Sequence, residues 1–60
     1  MKTVTIRFVG GSSLEFAASD ALVERVKEFF EDLRIARLRI SEKDYIINFD
    51  KVEWVAIEGD

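Results

Sequence analysis

The hydrophobic period of this chain changes twice within sixty residues, from two to about 3.6 and back to two. That sequence of periods restricts the fold to strands, then one helix, then strands again. Over residues 3–9, Val4, Ile6 and Phe8 alternate with Thr3, Thr5 and Arg7, the pattern of a strand with one buried face. Gly10 and Gly11 interrupt the run, and Ser13–Ala17 resumes it with Leu14 and Phe16 on the apolar side. A three-residue loop, Gly10-Gly11-Ser12, pairs Val9 with Ser13. It sets Phe8 opposite Leu14, Ile6 opposite Phe16, and Arg7 opposite Glu15 on the outer face. This register requires a left-handed backbone at Ser12.

Ser19 or Asp20 caps a helix expected to run to about Leu33. Leu22, Val23, Val26, Phe29, Phe30 and Leu33 fall on one apolar stripe, and Glu24, Arg25, Lys27, Glu28, Glu31 and Asp32 fill the remainder. After Arg34, Ala36, Leu38 and Ile40 alternate with Arg37, Arg39 and Ser41. A turn at Glu42-Lys43 then sets Tyr45, Ile47 and Phe49 opposite Ile40, Leu38 and Ala36. A second tight turn, at Asp50-Lys51, leads into Val52–Glu58. The expected fold class is α+β: one domain over residues 1–60, with an antiparallel sheet of four to five strands and one helix packed on one face.

The last strand breaks the pattern. With a two-residue turn, Val52, Trp54 and Ala56 face inward, while Val55 and Ile57 point outward beside Ile46. One extra residue in the turn reverses this, sending Trp54 and Ala56 outward. Either register leaves large apolar groups on the face away from the helix, unlike an antiparallel sheet with one wet face. A homodimer or higher oligomer is the expected cover.

Residues Tyr45 to Ile57 read as an apolar strand, an Asn-x-Asp corner and a second apolar strand. This stretch resembles the closing hairpin of many small, uncharacterised β-rich proteins of phages and mobile elements of Gram-positive bacteria. The resemblance covers about a fifth of the chain and carries no site residues with it. It implies a small inhibitor or modulator of a host or defence protein.

Composition narrows the chemistry. Burial of about 60% of the chain's surface and the ordering of sixty residues contribute roughly 90 kcal/mol each, with opposite signs, so the core alone is barely sufficient. Cysteine and histidine are both absent, which removes disulfides, the common zinc sites, thiolate nucleophiles and imidazole bases. The serines therefore lack a histidine to activate them, and the twelve carboxylates show no calcium-loop spacing. Gly10-Gly11-Ser12-Ser13 precedes a strand, whereas a phosphate loop opens a helix, so a plain hairpin turn is expected there. No catalytic residue, metal site or cofactor is expected. No apolar run reaches the ~18 residues of a membrane span and no signal peptide follows Met1. A cysteine-free chain fits a cytoplasmic location.

Charge is segregated along the chain: residues 34–43 carry +3, flanked by −3 over residues 20–33 and −4 over residues 44–60. Arg37 and Arg39 are expected to share an outer face with Arg7, beside Ile46 and Trp54. Such a row suits a protein interface, where arginine supplies both an apolar stem and directed donors. It also has the ingredients for phosphates and stacked bases, but a pI near 4.9 disfavours nucleic acid. The first expectation is a non-enzymatic protein-interaction module acting as a homo-oligomer on an unidentified protein partner. Its candidate interface is Arg7, Arg37, Arg39, Ile46, Trp54, Val55 and Ile57. The alternatives are a nucleic-acid-binding protein using Arg37 and Arg39, and an oligomer that sequesters a small ligand at its subunit interface.

Overall fold

The computed structural model describes residues 1–59. Strands β1 (Lys2–Phe8) and β2 (Ser13–Ala18) lead into helix α1 (Asp20–Asp32), followed by β3 (Ile35–Ile40), β4 (Lys43–Asn48), a single 3-10 turn (Phe49–Lys51) and β5 (Val52–Glu58). The fold is α+β, with the helix packed against the strands, as the changing period predicts. The strands form two antiparallel sheets, β2-β1-β5 and β3-β4, where one continuous sheet was expected.

Both hairpins keep the expected faces but shift register by two residues. In the first, Arg7 pairs with Ser13, Ile6 with Leu14 and Val4 with Phe16, so Arg7 does not face Glu15. The loop is Val9-Gly10-Gly11, closed by hydrogen bonds from the Phe8 N–H to the Ser12 carbonyl (2.8 Å) and from the Gly11 N–H to the Phe8 carbonyl (2.9 Å). The reason is the turn. Its left-handed position falls on Gly11, at φ 98°, where the expected register would have strained Ser12. In the second hairpin, Leu38 pairs with Tyr45 and Ile40 with Lys43 around a two-residue turn, Ser41-Glu42. Both turn residues have positive φ, 51° and 67°. The ladder gains pairs at Lys43 and Asp44 at the cost of two left-handed residues that are not glycine.

Helix α1 begins where its cap predicts, with the Ser19 hydroxyl accepting the Leu22 N–H at 3.3 Å. It ends one residue early. Leu33 turns left-handed (φ 54°), and the N–H groups of Leu33 and Arg34 bond back to the carbonyls of Phe30 and Phe29, a Schellman closure. Val23 and Val26 are buried, Leu22, Phe29 and Phe30 are half-buried, and Leu33 leaves the stripe at 54% exposure.

The largest departure is at Phe49. A tight turn at Asp50-Lys51 would have kept this residue in a β4–β5 hairpin opposite Ala36. Instead, residues 49–51 form one 3-10 turn, capped by the Asn48 side-chain oxygen, which accepts the Asp50 N–H at 3.0 Å. Phe49 becomes fully buried, with its ring centroid 5.8 Å from that of Phe29. Its N–H donates to the Arg34 carbonyl at 2.8 Å. The chain thereby leaves β4 and crosses to the free side of β1, so residues 45–57 are not a hairpin.

Strand β5 settles its two registers with a bulge. Phe8 pairs with Val52 but Arg7 pairs with Trp54, leaving Glu53 as the extra residue. Val52, Val55 and Ile57 can then all face the helix side, where Val55 lies opposite Ile6 and Ile57 opposite Val4. Trp54 and Ala56 take the outer face.

Two outcomes follow from this packing. Phe49→Ala should cost about 3–5 kcal/mol, as much as a domain of this size possesses, and abolish the cooperative thermal transition in circular dichroism. Replacing Ser41-Glu42 by Asn-Gly should stabilise by about 1 kcal/mol, read as a rise of roughly 4–8 °C in Tm.

Candidate functional site

The seven expected interface residues fall into three places. Arg7 and Trp54 lie side by side on the outer face of the three-stranded sheet, in a row with Ser13. Arg37, Arg39 and Ile46 lie on the outer face of the β3–β4 hairpin, so the expected row uniting them with Arg7 does not form. Val55 and Ile57 face inward against the core and leave the interface. With them inside, the outer face of the larger sheet is ordinary. Around Trp54, which stays 43% exposed as the register with the extra residue expects, and Ala56 it carries Thr3, Thr5, Glu15 and Glu58, so the apolar outer surface of this sheet is reduced to the tryptophan and small alanines.

The apolar outer surface is found on the hairpin. Alternation from the buried residues Ala36, Leu38 and Ile47 turns Ile35, Arg37 and Arg39 outward on β3, and Asp44, Ile46 and Asn48 outward on β4. Ile35 and Ile46 are 70% and 71% exposed, high values for β-branched residues in a sheet. Arg37, paired in register with Ile46, makes no ion pair among the described residues. Arg39 is held by Asp44 at 3.2 Å, and Arg34 by Asp32 at 3.4 Å. These exposed pairs fix side-chain direction but add little stability. Of the three arginines, Arg37 is the one whose charge is left for a partner. Sequence reasoning passed over Ile35, although its parity with Arg37 and Arg39 places it on the same face.

An apolar groove of about 390 Å³ adjoins the hairpin. It is lined by residues 45–48 of β4, by Phe8 and Leu14 from the inner face of the larger sheet, and by Lys51. It exists because the two sheets separate at this point, which a single-sheet reading could not have anticipated. Among the described residues, no three acidic side chains gather as a metal site, and no helix is long and apolar enough to cross a membrane.

Arg7 differs from the other arginines. It is paired in register with Ser13 on one side and Trp54 on the other, and its Nε is buried without a hydrogen-bond partner. An unsatisfied donor of this kind costs about 1–3 kcal/mol. Comparison with protein-family models, with curated proteins and with solved structures gives no match to this chain. Arg7→Met keeps the stem and removes the donor. It should raise stability by about 1 kcal/mol in urea unfolding, and an equal or larger loss would show that the guanidinium is satisfied in solution.

Proposed function

We propose that this chain is a non-enzymatic protein-interaction module whose working surface is the outer face of the β3–β4 hairpin, and that it self-associates through that face. The observation that carries the reading is the pair of exposed isoleucines, Ile35 and Ile46, around the unpaired Arg37. Apolar side chains beside an arginine are the composition of interface centres, where charged residues other than arginine are depleted. Specific complexes at the lower end of the size range bury about 600 Å² per subunit, and the hairpin face with the neighbouring exposed Leu33 is the surface proposed to supply it. Association in the micromolar range is therefore expected. The sequence resemblance of residues 45–57 to small phage and mobile-element proteins, carried by the residue pattern although the two strands do not pair here, extends the proposal to an inhibitor or modulator of a host or defence protein. Nucleic acid is the weaker reading, because Arg39 is occupied by Asp44 and Arg7 lies on another sheet.

Sedimentation equilibrium tests this. The native protein should be a dimer or higher oligomer at tens of micromolar, with a concentration-dependent Tm, and Ile35→Lys should be monomeric with an unchanged circular dichroism spectrum. A native monomer across that range removes the self-association. A gel shift with oligonucleotides at physiological salt, lost in Arg37→Glu, would replace the reading with nucleic-acid binding.

A further inference from the structure

The groove beside β4 has a feature that an ordinary side-chain pocket lacks. Four consecutive residues, Tyr45 to Asn48, line it together. Successive side chains of a strand point to opposite faces, so consecutive residues share a cavity only when it lies along the strand's edge. β4 has one neighbour, β3, and its other edge is unpaired. The two-residue turn at Ser41-Glu42 makes Ile40 and Lys43 a hydrogen-bonded pair, and the ladder alternates from there. Lys43, Tyr45 and Ile47 therefore direct their N–H and C=O groups to β3. The bond from the Phe49 N–H to the Arg34 carbonyl continues the same alternation. Ile46 and Asn48 direct theirs outward, to the groove.

We infer that this groove takes an extended acidic and apolar segment of a partner protein, added as a third strand to the free edge of β4. The inference rests on the interaction-module reading and names the chemistry of the partner. Charge complementarity selects the occupant. Lys51 lines the groove without an ion pair among the described residues, and no acidic residue lines it. The Asn48 side-chain oxygen is committed to the Asp50 N–H, which leaves the amide NH2 as a further donor. At the far end of the strand, Lys43 is exposed and likewise without an ion pair among the described residues. An added strand would satisfy the backbone groups of Ile46 and Asn48, place alternate apolar side chains against Phe8 and Leu14, and bring its carboxylates to the lysines. Main-chain bonds then supply affinity and the lysines supply selectivity.

The probe is a capped seven-residue peptide of alternating valine and glutamate, with its valine-lysine counterpart as the control. Fluorescence anisotropy at low salt should show the acidic peptide binding about tenfold or more tightly than the basic one, and Lys51→Glu should reverse the preference. Ile46→Pro deletes a groove-facing N–H without touching the β3 ladder, at an edge position that tolerates proline. It should abolish binding, while Ile46→Thr, which keeps the N–H, retains it. Independently of any variant, amide exchange of the native protein should slow at Ile46 and Asn48 on adding the acidic peptide, and stay unchanged at Tyr45 and Ile47. No binding, equal binding of the two peptides, or protection without this alternation overturns the inference. So does protection of Ile46 and Asn48 that grows with protein concentration in the absence of peptide, which would make a second copy of the chain the occupant. The outcome is separable from the self-association test, because Ile35→Lys alters an outward side chain and leaves the β4 edge intact.

Discussion

The arrangement of this chain depends on the burial of Phe49. Its ring is the largest fully buried side chain, it meets Phe29 of the helix, and its N–H is bonded to the carbonyl that begins the β3 segment. One residue thus ties the helix, the hairpin and the start of β5. To reach that position the backbone must leave the β4 ladder and turn through a 3-10 segment. A continuing hairpin cannot deliver the ring there. The split into two sheets is the consequence, because β5 emerges on the side of β1. Val9 adds to that pairing by donating its N–H to the Lys51 carbonyl at 2.9 Å.

A five-stranded sheet has two edges, whereas two sheets of three and two strands have four. This increase has a physical cost in a chain with little stability to spare. Unpaired edges expose backbone groups that another chain can satisfy. The accessible surface, 4270 Å², exceeds the roughly 4,000 Å² of a compact protein of this mass, consistent with a cleft between the sheets. Of the four edges, that of β4 borders an apolar groove, and its hairpin also turns two isoleucines outward. Edge and groove are two aspects of one event, the departure of the chain from β4 at Phe49, while the exposed face follows from alternation along β3 and β4.

Which residues face inward was legible in the sequence, because parity survives errors of register. Both hairpins shifted by two residues and neither exchanged its faces, so Val4, Ile6, Phe16, Leu38 and Ile47 are buried as the alternation requires. Register was less legible because it is decided by backbone conformation at one or two turn residues. Gly11 rather than Ser12 takes the left-handed position, while Ser41 and Glu42 adopt it without any sequence signal. The β4–β5 topology was not legible at all. Asn-Phe-Asp-Lys reads as a turn between adjacent strands, and only the three-dimensional space beside Phe29 shows that the phenylalanine is the cause of a crossing. The bulge at Glu53 has the same character. It reconciles two registers that seemed exclusive, and in doing so withdraws Val55 and Ile57 from the candidate interface while leaving Trp54 outside.

Backbone strain is concentrated where the proposed working surface lies. Among the described residues, the three other than glycine with positive φ are Leu33, Ser41 and Glu42. They bracket β3, one just before it and two just after it. Each forgoes about 1 kcal/mol relative to a glycine or asparagine at the same place, and Leu33 is also more than half exposed. Residues selected for stability alone would not combine this strain with Ile35 and Ile46 in water on β3 and β4. Strain held by surrounding packing is a recurrent property of functional segments. Here the packing that holds it is the pair of Schellman bonds from Leu33 and Arg34 to the helix end and the Phe49 bond to Arg34. The hairpin is thus anchored at its base by the same residue that sets the topology, while its turn and outer face are left strained, apolar and cationic. That combination of strain, exposed isoleucines and an unpaired arginine is the physical ground on which the proposed working surface rests.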